Sequence, residues 1–288
     1  MNSEATVCGV EVRLVAQTFG GLVEGLSLET ARRPAVAKWL RATLSEYLVL
    51  VLRGSSLSTE EQLELTAIFG DTIEPWDRHH KHPGEQRVQV ITNAGRDSVD
   101  YKTSTLYWHS DQSFTLAPSR YTVLHAIRVP SFGGRTLFVD TRGAYDAMNS
   151  HLRRDVRDLF ARHSFGYIMA GLTAKRISCQ AADEDRRKYS DVIHPIVRLQ
   201  PETGRYALYL SELCVSGVEG LSETESRGIL DALYAETLVS QFIYAHQWQT
   251  GDTVIWDNAA LMHRAEDIPV HMPRVFHRTN TAGGIPSR

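Results

Sequence analysis

The sequence predicts an α+β chain built on an antiparallel sandwich or jelly roll. Three observations predict it. Helical spacing of apolar residues dominates the first part of the chain. Short apolar or alternating runs multiply after Tyr121. Several of these runs are joined by short Gly-containing turns, as in hairpins.

The elements follow in order. Residues 30–44 carry Val36, Leu40 and Leu44 near helical spacing, and the apolar run 47–52 then reads as a buried strand stopped by Arg53-Gly54. Ser58-Thr59-Glu60-Glu61 reads as a helix start with acidic residues in the first turn, running to Phe69-Gly70. Residues 87–91 read as a strand, as do 121–129, which stop at Pro130, and 136–139 after the turn Gly133-Gly134. Residues 144–160 read as one helix through Leu152, Val156 and Leu159. Residues 195–199 and 206–210 flank Gly204 as a hairpin. Ser222 with Glu225 forms a capping box opening a helix over 222–237. Residues 242–248, 253–256 and 274–281 close the chain as strands.

Composition narrows the classes. The chain has 288 residues, 42% hydrophobic and 23% charged, near globular averages, with no repeat and no low-complexity linker. A single domain over 1–288 is expected. Cys8, Cys179 and Cys214 are too few and too scattered for a disulfide framework or a zinc knuckle. No long apolar run and no basic N-terminal leader appears, so a cytoplasmic protein with no membrane partner is expected. The net charge of −3 argues against nucleic acid. A homo-oligomer stays open.

Twelve histidines are the unusual count, since histidine is the commonest metal ligand. His109 and Asp111 form an H-x-D pattern, and alternate residues of a strand share a face. His263 follows a strong strand and is the candidate third ligand. Two His and one carboxylate on one side of an ion make the facial triad of non-haem Fe(II) oxygenases. H-x-D alone is also a common chance pattern. His79, His80 and His82 read as a solvated loop, and His125 as a hydrogen-bonded core residue. Arg274 and Arg278, four apart on a strand, share a face. Two inward arginines need anionic partners, either a dicarboxylate gripped by their forks or nearby acids such as Glu266 and Asp267.

Three ordered blocks resemble the taurine dioxygenase and 2,4-dichlorophenoxyacetate dioxygenase family of Fe(II)/2-oxoglutarate oxygenases. The first is Trp108-His109-Ser110-Asp111 with Ser113-Phe114, continuing through Gly133-Gly134-Arg135-Thr136-Leu137-Phe138 to Met148. The second is Trp248-Gln249-Thr250-Gly251-Asp252 with Trp256-Asp257-Asn258 and His263. The third is Arg274 with Arg278-Thr279. The resemblance runs from about residue 48 to the end. It implies a double-stranded β-helix with helices packed outside. It also implies Fe(II) on His109, Asp111 and His263, and 2-oxoglutarate as cosubstrate with its distal carboxylate on Thr136 and Arg274. Arg278 matches a position near the other carboxylate of 2-oxoglutarate or on an anionic group of the prime substrate. The reaction so implied turns 2-oxoglutarate and O2 into succinate and CO2 while a small molecule is hydroxylated, or is desaturated or cleaved after hydroxylation. Asp111 argues against halogenation, which needs a small residue there.

The stretch after Phe69-Gly70 lacks the histidine, and residues 103–106 lack the asparagine, of taurine dioxygenases. A small carboxylate of aryloxyalkanoate or secondary-metabolite type is therefore the expected substrate, with Trp76, Tyr101, Thr105, Gln112 and Met169 as expected pocket linings. Two other classes compete. A non-catalytic jelly-roll metal- or ligand-binding protein would not need Thr136, Arg274 and Arg278. A zinc hydrolase would need a general base such as that of H-E-x-x-H, which is missing.

Overall fold

The computed structural model describes residues 6–77, 80–93, 105–174, 183–267 and 272–288. Among these residues the chain is a sheet-rich α+β structure. One large sheet runs in the order Glu11–Leu14, Gly21–Glu24, Val49–Leu52, Thr253–Asp257, Tyr121–Arg128, Val275–Thr281, Glu85–Thr92, Lys81–His82. Thr72–Ile73 also pairs with Val275–Thr281. A three-stranded sheet places Thr136–Asp140 between Ile243–His246 and Leu261–Ala265. Pairing is antiparallel except between Gly21–Glu24 and Val49–Leu52.

Period-2 alternation assigns each strand an inner and an outer face. Leu124, Val254, Trp256 and Phe276 from the large sheet share a core with Phe138 and Leu261 from the small one. Their neighbours Val123 and Ile255 turn outward to Leu40, Leu44 and Leu65 of the N-terminal helices and to Phe69 just beyond them. On the opposite side, Val139 and Met262 turn outward to Leu230 and Leu233 of the helix Glu223–Thr237. The inner faces therefore hold both the apolar core and whatever polar side chains the strands place at inward positions.

The helix ends follow local chemistry. Ser58 and Ser222 each cap a helix with a reciprocal box, to Glu61 and Glu225. Pro34 opens the helix Pro34–Tyr47, and Leu48 ends it in left-handed backbone at φ 63°. The strand expected from residue 47 thus begins at Val49. Residues 144–160 are not one helix. Met148 leaves helical backbone after Thr141–Ala147, Asn149 caps a new helix Ser150–Val156, and Phe160–His163 is a strand. Residues 242–248 shorten to the strand Ile243–His246 behind a 3₁₀ turn. The hairpin forms between Val197–Gln200 and Arg205–Leu208. No helix among the described residues is long and apolar enough to cross a membrane.

Candidate active site

His263 lies on Leu261–Ala265, between inward Leu261 and the inner end of that strand, while Met262 faces out. One edge of this strand pairs with Thr136–Asp140. The other edge pairs with the irregular segment that carries His109. His109 N–H donates to His263 O at 3.0 Å, and His263 N–H to His109 O at 2.8 Å. Ala265 N–H donates to Thr105 O at 2.8 Å, extending the contact. The two histidines are thus direct cross-chain backbone partners with rings 4.3 Å apart.

Asp111 is not on a strand. It opens a turn whose next residue, Gln112, takes φ 57°. The turn, rather than strand alternation, swings the carboxylate back beside the imidazoles. Asp111 Oδ1 stands 4.0 Å from His109 Nε2 and 3.9 Å from His263 Nε2. Among the described residues this trio is the one group of such side chains whose ligand atoms converge, all within 4.8 Å of one another.

Each member is oriented by neighbours. His109 Nδ1 donates to Tyr107 O at 2.7 Å, which leaves Nε2 with its lone pair toward Asp111. The ring of His263 is held by packing, 4.7 Å from Trp256 and 6.2 Å from Phe138. Asp111 accepts from Thr122 Oγ1 at 2.6 Å and from Arg278 Nη1 at 3.1 Å. Thr122 Oγ1 in turn accepts from Asn258 Nδ2 at 2.9 Å and Asn280 Nδ2 at 2.8 Å. Its one donor and two lone pairs are all used. Asn258 Oδ1 accepts from Asp111 N–H and from Trp256 Nε1, and Ser110 Oγ donates to Asn258 O.

Electrostatics set the protonation states. Burial holds His109 down to about 4. Burial, with His109 beside it, takes His263 to about 3. Burial alone would raise the Asp111 carboxyl, but Arg278, His263 and His109 outweigh it and bring it to about 2. Near neutral pH the trio therefore presents two neutral imidazoles and one carboxylate. That donor set fits a divalent transition metal with open positions on the remaining side.

The arginines divide. Arg278 is inward on Val275–Thr281 and buried against Asp111 and Gln89. Arg274 sits one residue before the strand, and its guanidinium lies 4.7 Å over the Phe276 ring. Phe276 packs 4.7 Å from Trp248, whose Nε1 donates to Thr136 Oγ1 at 2.9 Å. Thr136, Trp248, Phe276 and Arg274 thus form one continuous wall. Glu266, considered as a partner for these arginines, is taken by Arg135.

The expected pocket linings lie in more than one place. Trp76 and Met169 join one apolar cluster with Phe114 and Phe165, where Trp76 lies edge-on to Phe114 at 5.7 Å. Gln112 is in the turn after Asp111 with Nε2 buried and unpartnered among the described residues. Thr105 flanks the His263 strand, and Tyr101 lies outside the described residues. His79 and His271 also lie outside them. His80 is not simply solvated, for its Nδ1 lies 2.5 Å from Asp77 Oδ2. His125 is buried against Thr253, as read. Thr122, Asn280 and Gln89 carry the network without having been named from the sequence, and Asn258 entered there only within the Trp256-Asp257-Asn258 block. The signal of Thr122, Asn280 and Gln89 is a polar residue at a buried strand position, whereas Asn258 sits in the turn after Thr253–Asp257.

Comparison with known proteins shows the family. The family described as taurine catabolism dioxygenase TauD, TfdA family matches residues 11–280. An (S)-phenoxypropionate/alpha-ketoglutarate-dioxygenase of Sphingobium herbicidovorans is 31% identical over 92% of this chain and 92% of its own. A pentalenolactone F synthase of Streptomyces arenae is 33% identical over 85% of this chain and 86% of its own. The solved structure of AAD-2 in complex with Mn(II) and N-oxalylglycine is similar at TM-score 0.81 and 28% identity, covering 97% of this chain and 99% of that one. The chain belongs to the TauD/TfdA family and is a 2-oxoglutarate-dependent dioxygenase.

Proposed function

We propose that the chain, a single domain over 1–288 with a double-stranded β-helix core, holds Fe(II) through His109, Asp111 and His263 and hydroxylates a small carboxylate. The observation that carries this is the convergence of the three buried ligand atoms, with Arg278 on the same carboxylate. Bound Fe(II) with 2-oxoglutarate and O2 supplies the oxidation, yielding succinate, CO2 and an oxygenated product.

The chain's own residues do the rest. His109 is kept in one tautomer by Tyr107 O. Thr122 and Arg278 fix both oxygens of Asp111, so the carboxylate presents a constant face. Thr136 and Arg274, at the two ends of the Trp248–Phe276 wall, receive the distal carboxylate of 2-oxoglutarate; a guanidinium fork suits that task. Arg278 receives the anionic group of the prime substrate. Phe114, Phe165, Trp76 and Met169 offer an apolar face for its body and exclude water.

The substrate class follows from this pairing of a buried cation with an aromatic face, and from relatives named for 2,4-dichlorophenoxyacetate and (S)-phenoxypropionate. Relatives named for sulfate esters and pentalenolactone F define the other arms of the test. Cys8 and Cys214 are both free, in keeping with a cytoplasmic setting. The experiment is a panel read by succinate formation, covering aryloxyalkanoates, sulfate esters, sulfonates and terpenoid carboxylates. Turnover led by an aryloxyalkanoate or other carboxylate supports the reading. Turnover confined to sulfonates or uncharged compounds rejects it.

A further inference from the structure

Gln89 is fully buried, inward on Glu85–Thr92, directly across from Arg278. Its Oε1 accepts from Arg278 Nε at 3.0 Å and from Nη2 at 2.5 Å, so one amide oxygen holds the whole side edge of the guanidinium. Its other end, Nε2, faces buried Asp77 Oδ2 at 3.5 Å. The same Asp77 oxygen meets His80 Nδ1 at 2.5 Å. A carboxylate only accepts, so Asp77 fixes the amide with its nitrogen outward and its oxygen toward Arg278. A primary amide, with its donor and acceptor at separate atoms, can join an anion at one end to a cation at the other without carrying charge.

The charge consequence is specific. A buried arginine normally takes a carboxylate partner. Here the side edge rests on a neutral group, while Nη1 donates to the carboxylate of Asp111, one of the three residues proposed to hold the metal. A divalent ion on that carboxylate would add positive charge beside the guanidinium. A glutamate at position 89 would fit the same space and set a second negative charge against the guanidinium, beside that of Asp111. The amide holds the arginine in place without adding a negative charge of its own.

We infer that Gln89, backed by Asp77, is the positioning residue that sets charge selectivity at this site, making the pocket demand an anionic prime substrate. This rests on the reading of Arg278 as the anion-binding residue. The test compares kcat/KM for 2,4-dichlorophenoxyacetate and its primary amide, or for the acid leading the panel and its amide, in the wild type, Gln89→Glu and Gln89→Met. The wild type should prefer the acid by about tenfold or more. Gln89→Glu should cut that preference by about tenfold or more, through KM for the acid, with the amide little changed. Gln89→Met, of similar volume, removes the acceptor without adding charge; it should also weaken the acid more than the amide, and it serves if Gln89→Glu does not fold. A purely structural role would lower acid and amide together. If the wild type prefers the acid and both variants keep that preference, or lose both substrates equally, the assignment of Gln89 is wrong while Arg278 stands. If the wild type shows no preference for the acid, the reading of Arg278 falls and this inference with it.

Discussion

Thr122→Val is the sharpest perturbation of the polar network, because it changes hydrogen bonding at nearly constant shape. Thr122 is fully buried, and its hydroxyl donates to Asp111 while accepting from Asn258 and Asn280. Valine removes a bond to an ionised carboxylate, worth about 1.5–3 kcal/mol net, and strands two buried amide donors at about 1–3 kcal/mol each. These contributions overlap, because the groups share one network, so a loss of at least about 3 kcal/mol in the metal-free protein is expected. Asp111 also loses one of the two side chains that orient it, which should weaken Fe(II) binding about 10–100-fold. Urea unfolding of the metal-free protein measures the first, and anaerobic Fe(II) titration the second. Thr122→Ser, which keeps the hydroxyl, should recover most of both. If Thr122→Val unfolds at the wild-type urea midpoint and binds Fe(II) within about twofold of wild type, the hydroxyl does not hold the carboxylate and the reasoning fails.

Other outcomes follow from the same structure. Arg274→Ala should raise KM for 2-oxoglutarate about 30-fold or more, because one partner of a carboxylate pair is lost at about 2–5 kcal/mol; an unchanged KM in a succinate assay rejects that role. The metal-free protein should lose stability as pH falls from about 6.5 toward 4. Burial depresses His109 and His277 to about 4 and His263 to about 3. Below 6.5 the unfolded chain therefore binds more protons than the folded one. Urea midpoints at pH 7 and pH 5 check this, and equal midpoints contradict it. Ser222→Ala should cost about 1 kcal/mol of stability through the lost helix cap, with kcat/KM unchanged, since this cap lies on the helix Glu223–Thr237 outside the small sheet.

What was legible in the sequence was local. The helix start at Ser58, read from its acidic first turn, and the capping box at Ser222 lie within four residues and need no tertiary knowledge. His109 and Asp111 are neighbours in sequence, and His263 follows a strand whose apolar run is plain. The break at Met148-Asn149 was legible in principle, since Asn is a preferred cap, but the apolar spacing across it concealed the end of the first helix. Register was not legible. The backbone pairing of His109 with His263, and of Gln89 with Arg278, joins residues far apart in the chain, and no local propensity specifies such partners. The geometry of Asp111 was misread for a related reason: its side chain is aimed by a turn with a left-handed residue at Gln112, whereas alternation assumes a strand. Thr122, Asn258 and Asn280 are ordinary polar residues until three separate segments bring them to one oxygen.

The most direct test of the proposed metal centre is optical. Under anaerobic conditions, Fe(II) and 2-oxoglutarate together should give a weak metal-to-ligand charge-transfer band in the visible with the wild-type protein. That band should disappear in His109→Ala and in His263→Ala. Absence of the band in the wild type, or a band unchanged in both variants, would contradict the assignment of His109, Asp111 and His263 as the iron site.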